Sequence, residues 1–264
     1  MTHPPAARPE PHAVDGPHDA PPLILGPSLG TSHTLWDPQL AALVGRFRTV
    51  RWNLPGHTGP LPTAPTTTTT VPGLARRVLD LADSLGIDRF AYAGVSLGGA
   101  VGAWIAVHHP ARLTSLALIC SSARFGPPAA WHDRAALVRE RGTGPIADTA
   151  AARWFTPAFA GTPRATALVD ALRRTVAPAG YAACCDALAA YDLRADLPRI
   201  AAPTLVVAGR ADPATGPAHA RALADGIPDA TLRELPRAAH LANVERPAPV
   251  RTALLAHLTE GTDR

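Results

Sequence analysis

Residues 90–107 read FAYAGVSLGGAVGAWIAV, eighteen residues without a charge. That length alone would permit a membrane span. Four glycines and a serine interrupt the run, however, and its first part, FAYAGV, has the composition of a buried strand. From Gly98 onward the run reads as a buried helix. Between the two lies Gly94-Val95-Ser96-Leu97-Gly98, a GxSxG sequence in the strand-before, helix-after context such a turn requires. A serine on so sharp a turn adopts a strained backbone, and glycines at 94 and 98 avoid the clashes on either side. Its hydroxyl then projects from the carboxyl edge of a sheet. The next N–H, that of Leu97, points at the same spot beside a helix N-terminus, where a developing oxyanion is stabilised. The plainer alternative is a glycine-rich strand–helix turn with a buried serine.

Working outward, short strands and helices alternate. Upstream, Leu23 to Leu25 reads as a buried strand ending in the loop Gly26-Pro27-Ser28-Leu29-Gly30. Trp36 to Val44 has helical spacing, and Phe47 to Trp52 is a strand running into the turn Asn53-Leu54-Pro55-Gly56-His57. Five threonines, Thr66 to Thr70, read as a loop that ends by capping a helix, with Pro72 in its first turn. Leu74, Ala75, Val78, Leu79, Ala82 and Leu85 form that helix's apolar stripe, and Gly86 ends it. Downstream come strands at Leu116 to Cys120, Thr204 to Ala208 and Thr231 to Leu235, and helices at Pro217 to Gly226 and Arg246 to Leu258. This alternation predicts a mostly parallel central sheet with helices on both faces. Residues 23–123 and 198–264 form the core. The interval 124–197, rich in Ala, Arg and Pro with helical pieces and no good strand, is a helical lid inserted between strands. Residues 1–22, with seven prolines and three histidines, form a loose N-terminal arm without the apolar stretch of a signal peptide.

The 264 residues suit one large domain carrying a lid, and 47% hydrophobic against 17% charged residues leaves ample material for a core. All 25 basic residues are arginine, which removes Schiff-base and phosphate-loop lysine chemistry. The arginines are scattered and aromatics are only 5%, so a nucleic-acid partner is not indicated. Cys120, Cys184 and Cys185 suggest neither a zinc site nor a disulfide framework, and fit a reducing cytoplasm. No metal or cofactor is expected, and no membrane association.

A nucleophilic serine needs a base and an acid, which in this architecture follow in the order Ser, Asp, His. Asp212 follows the strand Thr204 to Ala208 through Gly209-Arg210-Ala211, with Pro213 stiffening the turn; an ordinary Asp–Pro turn is the alternative. His240 follows the next strand through a short loop and precedes the final helix. Eleven histidines compete. His3, His12 and His18 lie in the arm, His108 and His109 end a helix, His132 and His219 sit on polar helical faces, and His257 is in the terminal helix. Only His240 is both after Asp212 and on a strand-end loop. The second oxyanion donor is expected from the loop after the first buried strand, where Leu29 N–H is the candidate, against an ordinary Gly/Pro turn.

These residues resemble the α/β-hydrolase superfamily and, more narrowly, the 3-oxoadipate enol-lactonases. The resemblance runs from about Asp15 to Leu258. It is carried by SLGTSHTLWDPQ, LPGH and AGVSLGGAVGAW, and more specifically by the lid segments ARWFTPAF and GYAACCDALAAYDLR. It implies the α/β-hydrolase fold, the triad Ser96, Asp212 and His240, and cofactor-free hydrolysis of a five-membered enol-lactone with a carboxylate tail. Two positions depart from the pattern: Asn53 stands where an acidic residue is usual, and Thr58 follows His57 where a glycine is usual. A carboxylate-bearing substrate needs a cation, for which Arg153 is the candidate, with Trp154 against the ring. Otherwise Trp154 is lid core and Arg153 a solvated charge. The rival readings are a paralogue of secondary metabolism acting on another lactone or ester, and a non-catalytic homologue that encloses a ligand.

Overall fold

The computed structural model describes residues 11–59 and 69–260. His3 and Thr66 to Thr68 lie outside them. Seven strands form one sheet: β1 (Ala13–Asp15), β2 (Pro22–Gly26), β3 (Arg48–Arg51), β4 (Phe90–Val95), β5 (Leu113–Ile119), β6 (Thr204–Gly209) and β7 (Ala230–Leu235). The helices are α1 (Asp37–Leu43), α2 (Val71–Ser84), α3 (Leu97–His108), α4 (Pro128–Arg141), α5 (Gly144–Trp154), α6 (Pro157–Ala160), α7 (Pro163–Thr175), α8 (Pro178–Ala189), α9 (Pro217–Gly226), α10 (Ala242–Glu245) and α11 (Pro247–Glu260).

The strand order is β1-β3-β2-β4-β5-β6-β7, parallel throughout except for β1. The chain leaves β2 toward one edge and leaves β4 toward the other. The crevice outside the carboxyl ends of these two neighbours is therefore a topological switch point, where open parallel sheets hold ligands. Every residue of β4 and of β6 is buried, as expected of strands covered on both faces. The stripe expected on α2 is buried from Leu74 to Ala82, and the Thr70 hydroxyl caps the helix by accepting from Gly73 N–H at 3.1 Å.

One expectation needs correction. The arm is not loose up to residue 22, because Ala13–Asp15 pairs antiparallel with β3 as an edge strand. Arg51 holds it there, donating to Asp15 Oδ2 at 2.9 Å and to Asp37 at 3.0 Å. Asn53 adds a second tie. Its Oδ1 accepts from His33 N–H at 2.7 Å while its amide donates to the Pro11 carbonyl. A carboxylate at 53 has no proton to give that carbonyl, so the amide there matches the arm it holds.

The long connection from β5 to β6 carries α4 to α8. There α4 packs along α8, and α5 against α7. Arg139 and His132 on α4 both reach Asp186 on α8, and Gly180 brings α8 so close to the Pro55 carbonyl that a Cβ there would lie 2.3 Å away. No helix among the described residues is long and apolar enough to cross a membrane.

Candidate active site

Ser96 sits at φ +54°, ψ −115°, between the end of β4 and the first residue of α3. A non-glycine residue held there stores on the order of 1–3 kcal/mol of strain, which persists only where neighbours over-determine it. They do so here. Ser96 N–H donates to Ile119 O at 2.9 Å, and its carbonyl accepts from the Ser121 hydroxyl at 2.8 Å. A Cβ on Gly94 would lie 2.3 Å from the Gly98 backbone, and one on Gly98 would lie 2.6 Å from Gly26, so both flanking glycines are fixed by close backbone approach.

The contact at Gly98 also brings in the loop after β2. Gly98 N–H donates to Pro27 O at 3.1 Å, seating the Ser28–Leu29 backbone beside the turn. Among the described residues, neither Leu29 N–H nor Leu97 N–H has a hydrogen-bond partner, and Leu97 is the first residue of α3, where an N–H has none within the helix.

Asp212 and His240 come from the loops after β6 and β7. Arg210 N–H donates to Leu235 O, and Ala211 N–H to Ala238 O, so each loop braces the other. His240 Nδ1 lies 2.9 Å from Asp212 Oδ2, and both side chains are buried. The other carboxylate oxygen accepts from Ala214 N–H at 2.7 Å and Thr215 N–H at 3.0 Å. Burial pushes the Asp212 carboxyl up. The facing His240 ring and these two N–H groups outweigh it and hold the carboxyl below its ordinary range. An ionised Asp212 makes Nδ1 of His240 the donor and leaves Nε2 as the proton acceptor. Thr215, which the sequence did not single out, adds a hydroxyl 2.9 Å from Asp212 Oδ2 and 2.7 Å from Cys120 O.

Ser96, His240 and Leu29 line one cavity of about 240 Å³. Arg153 and Trp154 line it too, at the last turn of α5. Among the lining residues not singled out in the sequence as part of a site are Trp131, Arg134, Tyr181 and His219. Arg134 lies over the Trp131 ring at 4.9 Å and beside the Tyr181 hydroxyl. The placement of His219 on a polar helical face is corrected, since it walls the cavity with its Nδ1 2.7 Å from the Ser122 hydroxyl. Trp154 is 7% exposed, at once a packed side chain and a wall. Among the described residues no three His, Cys, Asp or Glu side chains gather as a metal site.

His57, from the LPGH turn, is completely buried beneath this region and stacks on Tyr181 with ring centroids 6.3 Å apart. Burial drives its pKa from 6.5 down to about 4, against the opposing hydrogen bond to Pro55 O. Its Nε2 has no hydrogen-bond partner among the described residues.

Three comparisons bear on this site. The family described as alpha/beta hydrolase fold matches residues 21–247. The "3-oxoadipate enol-lactonase 2" of Acinetobacter baylyi is 38% identical over 239 residues, 89% of this chain and 88% of that protein. A "putative carbamate hydrolase RutD" of Stutzerimonas stutzeri is 34% identical over 92% of this chain and 93% of its own length. Among solved structures, the enol-lactonase from Burkholderia xenovorans LB400 superposes with a TM-score of 0.89 at 37% identity, covering 94% of this chain and 95% of that one. With the sheet order, the turn at Ser96 and this likeness along its length, the chain belongs to the α/β-hydrolase family.

Proposed function

We propose that this protein is a serine hydrolase that opens an enol-lactone bearing a carboxylate, with 3-oxoadipate enol-lactone as the substrate and 3-oxoadipate as the product. The observation that carries this reading is that Ser96, His240 and two arginines, Arg134 and Arg153, line one cavity. The similarity to proteins named enol-lactonases supports the same choice.

In the reaction Ser96 Oγ attacks the lactone carbonyl while His240 Nε2 takes its proton. Asp212 holds the imidazole tautomer and stabilises the imidazolium. The Leu29 and Leu97 N–H groups receive the oxyanion. The ring C–O bond then breaks. The proton on His240 passes to the departing enolate, which leaves readily and so demands little of His240 as an acid, and the imidazole is neutral again. Water attacks the acyl-enzyme with His240 as base, releasing the acid and free Ser96. Arg134 and Arg153 hold the carboxylate tail, and Trp131 and Trp154 flank the ring. Residues 124–197 serve as the lid over this cavity, and the three buried free cysteines suit a reducing cytoplasm.

The test is kcat/KM for three substrates: the acidic enol-lactone, a neutral p-nitrophenyl ester and a simple carbamate. The proposal requires the lactone to be preferred over both. A preference for the neutral ester would return the site to general esterase chemistry, and a preference for the carbamate would reassign the substrate while leaving Ser96 its role.

A further inference from the structure

Glu245, on α10, is a buried carboxylate, 8% exposed, with no cation paired to it among the described residues. Such a group is tolerated only where hydrogen bonds replace its hydration. Its donors come from two distant parts of the chain. Oε2 accepts from Ala239 N–H at 2.8 Å, the residue just before His240. Oε1 accepts from Thr156 N–H at 3.1 Å and from the Thr156 hydroxyl. A further bond closes the bracket. Leu241 N–H, just after His240, donates to Trp154 O at 3.0 Å. The backbone on both sides of His240 is thus tied to residues 154–156, where α5 ends and where Arg153 and Trp154 enter the cavity wall.

We propose that Glu245 is a positioning residue that couples the alignment of His240 to the seating of the Arg153–Trp154 wall. A glutamine at 245 keeps the shape but turns one acceptor into a donor, which then faces either Ala239 N–H or the Thr156 donors. The bracket opens on that side, and the backbone carrying the imidazole is no longer held fixed at the cavity that Ser96 also lines. The proposal rests on His240 being the base, and acts through that residue without touching substrate.

The experiment measures kcat and KM for Glu245→Gln, Thr156→Val and the double variant, on the acidic lactone and on a neutral p-nitrophenyl ester. The downfield proton resonance of the His240–Asp212 hydrogen bond is followed in parallel. Misplacement of a catalytic group by about 1 Å costs on the order of 100-fold. Glu245→Gln is therefore expected to lower kcat by about 10–100-fold for both substrates, to change KM much less, and to shift or broaden the resonance. Thr156→Val keeps the carboxylate and its bond to Ala239, and is expected to lower kcat by about 3–10-fold. The double variant should lose less than the product of the two. A folded Glu245→Gln protein with unchanged kcat and an unmoved resonance overturns the proposal, even if its Tm falls. Should that variant not fold, Thr156→Val decides, and an unchanged kcat and resonance there overturn it equally. Activity surviving in His240→Ala would instead remove the base assignment beneath it.

Discussion

Along the carboxyl ends of β4, β6 and β7, the polar groups are fixed by their neighbours. Ser96 is held by Ile119 and Ser121, and Asp212 by Ala214, Thr215 and His240. Across the cavity the helices present a different surface. Arg134 rests on an indole and Arg153 pairs with no carboxylate among the described residues. Arg139 on α4, and Arg173 and Arg174 on α7, are each matched to an aspartate. The contrast divides the labour. On the proposed function, the strand ends would be organised in advance for charge that develops during reaction, and the helices would keep cations available for charge that arrives with a ligand.

Removing the nucleophile should break the first side completely. Ser96→Ala is expected to lower kcat by about 10⁴–10⁶-fold while circular dichroism and Tm show an intact fold. Near-native turnover in that folded variant would eliminate the turn as the source of the nucleophile. Asp212→Asn comes next, at roughly 10³–10⁴-fold in kcat. An amide in place of the carboxylate favours the wrong His240 tautomer and no longer stabilises imidazolium. A loss below 10-fold, read in the same steady-state assay, would mean that another group orients the ring.

The helical side should respond selectively. Arg153→Ala, and separately Arg134→Ala, are expected to lower kcat/KM for the acidic lactone by about 10–100-fold, through loss of about 1.5–3 kcal/mol of charge-assisted hydrogen bonding. The neutral ester should barely change. Lysine at either position should recover only part, because the planar fork is lost. Equal losses on both substrates would make the arginine concerned structural, and would dissolve the contrast between the two sides.

The smallest expected effect concerns stability rather than catalysis, and compares the two buried histidines. His240 faces a carboxylate, while the Nε2 of His57 has no hydrogen-bond partner among the described residues. With its pKa lowered from 6.5 to about 4, His57 is neutral in the folded protein where the unfolded chain would protonate it. The unfolded state therefore binds more protons between these values. The stabilising contribution is complete above pH 6.5 and is lost as pH falls toward 4, on the order of 3 kcal/mol in all. Urea denaturation from pH 4 to 7 should show this slope, and His57→Asn should flatten it. An unchanged slope in the variant would place the acid sensitivity elsewhere.

Legibility in the sequence divides along the same line. The turn at Ser96 and the loops carrying Asp212 and His240 are local patterns: a buried strand, two glycines at fixed positions, a short loop before a helix. Such patterns survive without knowledge of packing. The β1 edge strand was not legible, because three residues in a proline-rich arm have no period of their own and are placed by Arg51 and Asn53, remote in sequence. Trp131, Arg134, Tyr181 and His219 were missed because which face of a helix meets the cavity depends on how α4, α8 and α9 pack, and polar residues on amphipathic helices usually face solvent. Glu245 lies in the stretch read as a loop before the final helix, and only the return of Thr156 beside it reveals a buried carboxylate.

The central claim is that Ser96 is a nucleophile activated by His240 and Asp212. Intact-mass spectrometry after treatment with a fluorophosphonate, followed by peptide mapping, reads this directly. The account predicts one adduct per chain, carried on Ser96, absent from Ser96→Ala and formed far more slowly in His240→Ala. No adduct on the folded wild-type protein, or an adduct that persists in Ser96→Ala, would contradict it.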